Sequence, residues 1–338
     1  MPLEWLVDAS FVVRAERALE QLGGELTEGP ALCPLPPSEL TEDDWIDVEG
    51  GPRHASDATP ACISRSDVPL THPERVVFGE DGITKGDVVA YYAAVADRML
   101  PHLRGRPLTL ERFRKTIADG GFYQQGRPEH FPDYVPRIDV VRANGEIGHH
   151  PGCDSADALV FLANQGVLTF HGWAAREPDL EHPDRLVLDL DPETEDFAPV
   201  RRAAFALRDV LEDRGVHGLP LLTGSRGLHV IVPLDGSSDW EELMAWTKEL
   251  GAALVKTAPK ELTRAFYKSQ RRGRLYVDTG RARRGHTAVI PWTVRGRPGA
   301  PVATPITWAE LENPQVHARS FTLPTALDRP ADPWRPTA

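Results

Sequence analysis

Two aspartates separated by one leucine end an apolar segment, residues 186–192. Because successive side chains of a β-strand point to opposite faces, Asp189 and Asp191 are predicted to project from the same face. Two neighbouring carboxylates repel each other unless a cation lies between them, and a divalent metal ion suits such a pair. The alternative interpretation is a strand end with two solvated acids, since short motifs of this kind often occur without function.

Other groups in the chain suit the same chemistry. A third acid, Asp278, ends another apolar segment, and the glycine-rich turn 224–227 contains Arg226. Metal-assisted phosphoryl transfer needs carboxylates to hold metal ions, and backbone amides and arginines to hold phosphates. The three aspartates could hold the metal ions, and the turn with Arg295 and Arg297 could hold the phosphates. Each element alone is a weak signal, but the set predicts a phosphoryl-transfer site.

The elements that must position these residues are strands with intervening helices, which predicts an α/β protein. Predicted strands cover 159–162, 167–171, 186–191, 219–223, 228–234, 275–278 and 287–294, and predicted helices cover 197–213 and 239–258. Residues 159–162 and 167–171 are interpreted as sequential strands around a turn. An earlier helix is predicted to begin after the N-cap Thr84 and to end before Pro101.

The net charge of −12 argues at first against a nucleic-acid partner, because phosphate binding needs clustered lysine and arginine. The acids are concentrated near the N-terminus, where residues 1–70 hold 14 Asp and Glu but only four Arg and no Lys. Residues 271–297, in contrast, hold eight arginines and a single acid, Asp278. A local basic surface is therefore compatible with the acidic total.

Composition places the chain among ordinary globular proteins, with 338 residues, 41% hydrophobic and 26% charged. No apolar run is long enough to span a membrane, and the start lacks the basic and apolar regions of a signal peptide, so we expect a cytoplasmic protein. Three cysteines, Cys33, Cys62 and Cys153, form no CxxC pair and are predicted to be reduced thiols. Near the last of them, His149 and His150 are interpreted as structural residues and not as metal ligands.

The chain divides into three predicted parts. Residues 1–69 form an acidic N-terminal extension with one helix, over 3–22, and a proline-rich connector. Residues 70–322 form the catalytic domain, and residues 323–338 form a C-terminal tail. The acids of the extension are interpreted as a solvated surface, with masking of a basic groove as the alternative.

Two further groups are ambiguous from their residue types alone. Lys85 lies in the first turn of the helix that Thr84 begins, where a helix N-terminus and a cation could hold a phosphate, although a surface lysine is the simpler interpretation. Phe122 and Tyr123 follow the basic segment 112–115. They could stack on bases, or they could be one core and one surface residue of a strand.

In order along the chain, several segments resemble the motifs of the polymerase domain of bacterial ligase D, a member of the archaeo-eukaryotic primase superfamily. The segments are 70–76, 84–87, 122–123, 162–166, 185–192, 223–230, 277–278 and 294–302. No KxDG motif of a nucleotidyl-lysine ligase occurs, so the chain is similar to the stand-alone actinobacterial primase-polymerases that work beside separate ligases. The resemblance implies an α/β (α+β) fold, with central antiparallel or mixed sheets flanked by helices.

The resemblance also implies a template-dependent nucleotidyltransferase that adds rNTPs as well as dNTPs to a 3′-hydroxyl at short gaps or breaks, in DNA repair. Two divalent ions, Mn²⁺ or Mg²⁺, would be bound by Asp189, Asp191 and Asp278. The incoming nucleotide would be held by His171, Thr223, Arg226, His229, Arg271, Arg295 and Arg297. The DNA would be held by Arg75, Lys85, Arg112, Phe122 and Tyr123, the two aromatics stacking near the templating base and Lys85 with Arg75 gripping a 5′-phosphate across the gap.

Expected partners are gapped or broken DNA with a 5′-phosphate, NTPs or dNTPs, a separate DNA ligase and Ku. The enzyme is expected to be a monomer without membrane contact, associated with the nucleoid. Three residues depart from the family pattern: Thr223 stands near the ribose where Ser is common, Arg75 replaces a lysine, and Glu111 stands where a basic residue is common. These departures bear on the choice of sugar and on contact with DNA.

Two other functions remain as alternatives. A haloacid-dehalogenase-like phosphatase also has an apolar strand ending in DxD, and it would use Asp189 as its nucleophile. That mechanism needs a later pair of acids, for which Asp278 alone is a poor substitute, and it usually has Thr or Val where Glu193 stands. A non-catalytic adaptor that binds DNA ends would keep the basic groove without needing the three aspartates.

Overall fold

The computed structural model describes residues 68–329 and 332–334. Its helices are α1 Lys85–Ala94, α2 Ala96–Leu103, α3 Ala156–Asn164, α4 Ala198–Glu212, α5 Trp240–Thr257, α6 Lys268–Arg271, α7 Trp308–Glu312 and α8 Leu323–Leu327. Its strands are β1 Val76–Phe78, β2 Ile83–Thr84, β3 Leu108–Arg112, β4 Phe122–Gln124, β5 Arg137–Val141, β6 Ile147–Pro151, β7 Val167–Trp173, β8 Arg185–Asp191, β9 Leu219–Leu222, β10 Leu228–Pro233, β11 Leu262–Thr263, β12 Leu275–Asp278, β13 Thr287–Val289 and β14 Thr304–Pro305. The helix predicted over 3–22, the connector after it, Cys33 and Cys62 lie outside the described residues.

A six-stranded sheet carries the paired aspartates. Its strand order is β11-β12-β8-β10-β9-β14, and each neighbouring pair is antiparallel except β11 with β12. On β8, Leu186, Leu188 and Leu190 are fully buried in the core that helices α4 and α5 form with this sheet. Strand alternation then turns Asp189 and Asp191 to the opposite face, as the sequence predicted.

A four-stranded sheet, of order β13-β7-β3-β4, meets that opposite face. One side of it packs in the core formed with α1, α2 and α3, where Leu108 and Phe170 are fully buried. Its other side joins the six-stranded sheet through Val289, which packs with Val187 and Ile231. The two sheets therefore enclose a cleft toward which the aspartates point.

Most of the predicted elements around the aspartates are confirmed to within two residues, including both long helices, α4 and α5. Thr84 caps α1 as predicted, and its side chain and that of Asp87 form a reciprocal capping box. None of the helices in the described part of the chain is long and apolar enough to cross a membrane.

The strand predicted over 159–162 is wrong, because these residues lie in helix α3. A short apolar run does not by itself distinguish a strand from a buried helix turn. The helix begins at Ser155, whose hydroxyl accepts a hydrogen bond from the Ala158 amide. Leu159, Val160 and Leu162 are buried and Phe161 is half-buried, so this run contains no polar residue that would mark the outer face of a helix.

Two other predicted boundaries are corrected. Pro101 does not follow the end of a helix but lies inside α2, a second helix that begins after Val95. A proline there forgoes one backbone hydrogen bond, and burial of Met99 and Leu103 offsets the loss. The strand predicted over 287–294 ends at Val289. The chain leaves the sheet because Trp292 adopts a left-handed backbone conformation, with φ of 69°.

The first residues of the predicted tail are part of the core. Residues 323–327 form α8, in which Leu323 and Ala326 are buried in the same core as α1. The amide of Leu323 donates to the carbonyl of Ala300, so this helix is tied to the segment that follows Arg295 and Arg297.

Candidate active site

The cleft between the two sheets has a volume of about 210 Å³. Most of the residues predicted to bind metal or nucleotide line it: His171, Asp189, Asp191, Thr223, Arg226, His229, Asp278 and Arg295. Ser225, Gly227 and Arg281 line it as well. Segments more than 100 residues apart in sequence thus supply one polar surface.

Strand register brings the third aspartate to the first two. Asp278 on β12 lies directly opposite Asp189 on β8, and His229 on β10 lies opposite Asp189 on the other side. Residues opposite each other in an antiparallel pair project from the same face of the sheet. Asp189 is therefore flanked by an acid and a histidine, with Asp191 two residues further along the same face.

Arg281 supplies the positive charge closest to two of these acids. Its Nη2 donates a hydrogen bond of 3.2 Å to Oδ2 of Asp189, and its Nε lies 3.6 Å from Oδ2 of Asp278. The Nε2 of His229 lies 3.6 Å from Oδ1 of Asp189. Burial raises the pKa of the Asp189 carboxyl, but His229 and Arg281 outweigh burial and lower that pKa to about 2. Asp189 is therefore ionised at neutral pH.

Asp191 has a different environment. Its carboxyl lies 3.7 Å from Nη2 of Arg226 and 3.5 Å from Nη1 of Arg271. Burial and the nearby charge of Asp189 raise the pKa of Asp191 above its ordinary value, against the two arginines. Arg271 is itself buried and packs on the ring of Tyr276, with its Cζ 4.0 Å from the ring centre. Arg271 contacts the Asp191 carboxyl but does not itself line the cleft.

The turn between β9 and β10 is held rigidly at the mouth of the cleft. The Thr223 hydroxyl donates to the Gly227 carbonyl at 2.8 Å and accepts from the Ser225 amide at 3.3 Å. Arg295 donates from Nη1 to the Thr223 carbonyl at 2.8 Å. A Cβ at Gly227 would lie 2.2 Å from the Leu190 carbonyl oxygen, so only glycine allows the turn to approach β8 this closely.

Five buried polar atoms of the cleft residues have no hydrogen-bond partner among the described residues: Nε2 of His171, Nδ1 of His229, and Nε of Arg226, of Arg281 and of Arg295. Leaving such groups unpaired costs free energy, and an unexplained set of them indicates a ligand. Burial, together with the charges of Arg295 and Arg281, lowers the pKa of His171 to about 3. The cleft therefore presents a neutral imidazole and several guanidinium groups, a combination that suits a polyanionic ligand.

The donor chemistry of the cleft also suits a hard divalent cation, because three aspartates converge on one face. No group of three His, Cys, Asp or Glu side chains within 68–329 and 332–334 lies close enough to be a preassembled metal site. The acids are instead engaged by protein groups. The Tyr276 hydroxyl donates to Oδ1 of Asp278 at 3.2 Å, and the Gly280 amide donates to the same oxygen at 2.7 Å.

The aromatic residues predicted to contact DNA lie beside the cleft. Phe122 and Tyr123 form part of β4, and Tyr123 is 64% exposed. The ring of Tyr123 packs edge-on against His171, with the ring centres 5.9 Å apart. Arg112 and Arg114 lie over the ring of Phe122, at 5.7 and 5.1 Å from its centre. This surface is both aromatic and basic, and it is continuous with the cleft through His171.

The other predicted DNA residues lie near α1, apart from the cleft lining. Lys85 is only 4% exposed, and its amine donates to the carbonyl and to the hydroxyl of Thr71. Burial and the neighbouring charge of Arg75 lower the pKa of Lys85 to about 8. Arg75 donates from Nη1 to the Arg114 carbonyl at 2.9 Å. Arg297 is exposed and does not line the cleft.

The residues interpreted as structural have structural contacts. His149 pairs through Nδ1 with Asp139 at 2.7 Å. His150 packs edge-on against Trp173, with its Nδ1 3.4 Å from the Leu108 carbonyl. Cys153 is a buried free thiol whose pKa is raised by burial.

Sequence reasoning missed Arg281 as a site residue. It was one of eight arginines in 271–297, and nothing in that run distinguished it except its spacing. It lies three residues after Asp278, at the point where the chain turns back from β12 toward β13. An arginine in the turn that follows a strand-terminal acid was the signal available.

Comparisons with known proteins agree with this geometry. The family model described as "LigD, primase-polymerase domain" matches residues 84–334. The chain is 33% identical over 267 residues to the multifunctional non-homologous end joining DNA repair protein LigD of Mycobacterium tuberculosis H37Rv, covering 76% of this chain and 35% of that protein. It is 31% identical over 295 residues to LigD of Pseudomonas aeruginosa, covering 84% and 34%. The chain thus spans about a third of the length of these relatives.

A solved structure is similar as well. The polymerase domain from Mycobacterium tuberculosis ligase D, in complex with DNA, superimposes with a TM-score of 0.75 at 32% sequence identity. The match covers 80% of this chain and 96% of that domain.

Proposed function

The chain belongs to the LigD primase-polymerase domain family, and from this premise we propose that it is a template-dependent nucleotidyltransferase acting at short gaps or breaks in DNA. It would add nucleotides to a 3′-hydroxyl during repair. The observation that carries this proposal is the composition of the cleft, in which three aspartates lie beside five unpartnered polar atoms, which belong to His171, Arg226, His229, Arg281 and Arg295. The first group suits metal ions and the second suits a triphosphate.

The chemistry divides between the two groups of residues. Asp189, Asp191 and Asp278 would hold two divalent ions, Mn²⁺ or Mg²⁺, which lower the pKa of the attacking hydroxyl and neutralise charge on the leaving pyrophosphate. Because its pKa is about 2, Asp189 has no proton to lose before it can act as a ligand. Neutral His171 could donate a hydrogen bond to a phosphate oxygen without adding charge.

Contacts with the nucleotide follow from the position of each side chain. The unpaired Nε atoms of Arg226 and Arg295 and the free ring nitrogen of His229 could bind phosphate oxygens. Arg271 would act through Asp191, which it contacts, and Thr223 would act by shaping the turn, since its hydroxyl is already bonded within it. Arg297 would meet phosphates only at the outer edge of the site, where it is exposed.

DNA would approach over the aromatic and basic surface beside His171. Phe122 and Tyr123 would stack near the templating base, with Arg112 supporting Phe122. Arg75 and Lys85 would bind the 5′-phosphate on the far side of a gap. For Lys85 this requires that its amine exchange the Thr71 oxygens for phosphate oxygens.

Further parts of the proposal concern the choice of nucleotide, the partners, the domain bounds and the location of the enzyme. We infer use of both rNTPs and dNTPs, action as a monomer on gapped or broken DNA, and cooperation with a separate DNA ligase and with Ku. Residues 70–322 would form the catalytic unit together with α8, whose Leu323 and Ala326 lie in its core, and residues 1–69 would be an acidic extension to it. The tail would begin after α8. The enzyme would act in the cytoplasm, at the nucleoid.

The phosphatase hypothesis is wrong, because the family match and the fold are those of a LigD polymerase domain.

Primer extension tests the proposal. A labelled primer on gapped DNA with a 5′-phosphate is incubated with Mn²⁺ and either rNTPs or dNTPs. The wild-type protein should extend the primer, Asp189→Ala should not, and Asp209→Ala, at an exposed position on α4, should match the wild type. Binding of the DNA without any extension by the wild type would favour the adaptor, and unchanged extension by Asp189→Ala would contradict the proposed site.

A further inference from the structure

Two adjacent aromatic side chains on the segment before α6 are exposed to solvent. Phe266 is 70% exposed and Tyr267 is 65% exposed, which makes them the two most exposed large hydrophobic residues in the described part of the chain. Their rings pack edge-to-face, with centres 5.4 Å apart. Exposed rings of this size lose the free energy that burial would provide, so a pair of them indicates a binding surface.

The backbone beneath these rings is fixed to the active site. Arg271 donates from Nε to the Ala265 carbonyl at 3.2 Å and from Nη2 to the Phe266 carbonyl at 3.0 Å. The Nη1 of the same guanidinium lies 3.5 Å from Oδ2 of Asp191. One buried arginine therefore joins the backbone of the aromatic pair to Asp191, which lines the cleft.

The surroundings of the pair are strongly basic. Residues 262–275 contain five basic residues and no acid. Three of the five, Arg264, Lys268 and Arg272, are exposed, and none of the three forms an ion pair with any residue in 68–329 or 332–334. Such a surface suits an unpaired nucleotide, because the unpaired cations can bind its phosphate and the exposed rings can stack on its base.

A second pair of adjacent aromatic residues beside basic side chains lies near the cleft. Phe122 and Tyr123 lie beside Arg112 and Arg114 and reach the cleft through His171. The pair at Phe266 reaches it through Arg271 and Asp191, from the six-stranded sheet instead of the four-stranded one. One aromatic and basic surface thus lies on the four-stranded sheet, and the other lies in the segment that follows β11, an edge strand of the six-stranded sheet.

We propose that Phe266 and Tyr267 bind single-stranded DNA, by stacking on unpaired bases of the substrate next to the site of nucleotide addition. This inference rests on the proposed function, since it assumes that DNA lies over the cleft. Duplex DNA offers its phosphates to such a surface but not the faces of its bases, so the pair selects unpaired nucleotides. Arg264, Lys268 and Arg272 hold the phosphates of the same strand.

Fluorescence anisotropy of labelled DNA tests this. The probes are an oligothymidylate and a blunt duplex, and the protein is the full chain. The double variant Phe266→Leu/Tyr267→Leu keeps apolar side chains but removes the ring faces. The matched control is Tyr134→Leu, which removes another exposed ring, one that packs on Phe161.

The double variant should bind the oligothymidylate at least about fivefold more weakly than the wild type, the loss expected for stacking of one base. Its affinity for the duplex should stay within about twofold, and Tyr134→Leu should match the wild type on both probes. The dependence of affinity on salt concentration should keep its slope, because no charge was removed.

Equal affinity of the double variant and the wild type for the oligothymidylate would overturn the inference. An equal loss on the duplex would overturn it too, because a duplex exposes the face of a base pair only at its two ends, and stacking there cannot explain a loss of the same size. Extension of a primer across a one-nucleotide gap, measured on the same samples, reports on the proposed function separately. If the double variant extends the primer but binds the oligothymidylate normally, the proposed function stands and only the stacking role fails.

Discussion

The guanidinium of Arg281 bridges Asp189 and Asp278, with distances of 3.2 Å to one carboxylate and 3.6 Å to the other. These two acids lie opposite each other on neighbouring strands, and they are two of the three aspartates that the proposed function assigns to metal ions. In that proposal, the arginine and a divalent ion would compete for the same carboxylate oxygens.

Replacing Arg281 should strengthen metal binding. Removing one positive charge from beside two carboxylates favours any other cation there, and we expect Arg281→Gln to bind Mn²⁺ at least about tenfold more tightly in the absence of nucleotide. Electron paramagnetic resonance of free Mn²⁺ measures the affinity. Arg283→Gln, at an exposed position of the same turn, is the control. Weaker Mn²⁺ binding by Arg281→Gln would show that the arginine supports the metal site instead of competing with it.

Loss of the Thr223 hydroxyl should lower the incorporation of rNTPs and of dNTPs equally. It donates to the Gly227 carbonyl and accepts from the Ser225 amide, so its bonds stay within the turn. Thr223→Val removes both bonds, and we expect kcat/KM to fall about tenfold for rNTPs and for dNTPs alike. Thr223→Ser retains the hydroxyl and should behave as the wild type. A change in the ratio of rNTP to dNTP incorporation in either variant would indicate direct contact with the ribose.

Recognition of a 5′-phosphate should weaken as the pH rises. Burial and Arg75 lower the pKa of Lys85 to about 8, so the cationic form is present below pH 8 and is lost above it. The preference for phosphorylated over unphosphorylated gaps should therefore decline between pH 7 and pH 9. Lys85→Arg should keep that preference across the range, and Lys85→Ala should lower it about tenfold at pH 7. If Lys85→Ala weakens binding to both gaps equally, the lysine has only a structural role.

A buried ion cluster at the start of β8 should dominate acid sensitivity. Asp184 accepts from Arg106 at 2.6 Å and from Arg176 at 2.6 Å, and Arg185 lies 3.7 Å away. Burial raises the pKa of Asp184, but Arg106 and Arg185 outweigh it and hold that pKa below its ordinary range. The stabilisation is thus complete at neutral pH and is lost as the pH falls below about 4, where the carboxyl of the unfolded chain takes up a proton.

We expect Asp184→Asn to lower the free energy of unfolding by about 3 kcal/mol at pH 7, because it leaves buried arginines without their counter-charge. The difference from the wild type should shrink at pH 3. Urea unfolding measures both values, with Asp209→Asn at an exposed ion pair as the control that changes little. A constant difference between pH 7 and pH 3 would show that the charge of Asp184 is not what stabilises the fold.

The local sequence pattern was enough to predict the part of the site that lies on a single strand, β8. Asp189 and Asp191 share a face because strand side chains alternate, and that rule needs no knowledge of the partner strands. The pairing of Asp278 with Asp189 joins residues about ninety positions apart, and no local pattern encodes such a register. The ordered motifs of the family supplied that connection.

The errors have a common physical cause. Residues 159–162 look like a strand because they are four consecutive apolar residues of α3, three of them buried, and they include no polar position that marks a helix. Lys85 is buried, which contradicts the simpler interpretation of it as a surface lysine, and its bonds to Thr71 could not be foreseen because the segment before β1 folds back over α1. Tertiary packing decided each of these cases.

Single-turnover incorporation of one nucleotide by Asp278→Asn tests the central claim, that aspartates from two neighbouring strands form one nucleotidyl-transfer site. The primer lies on gapped DNA, Mn²⁺ is present, and DNA affinity is measured on the same samples. We predict that the rate falls at least about a hundredfold while DNA affinity changes less than about twofold, because the aspartate acts on the reacting groups and not on the duplex. Incorporation by Asp278→Asn at the wild-type rate would contradict the account.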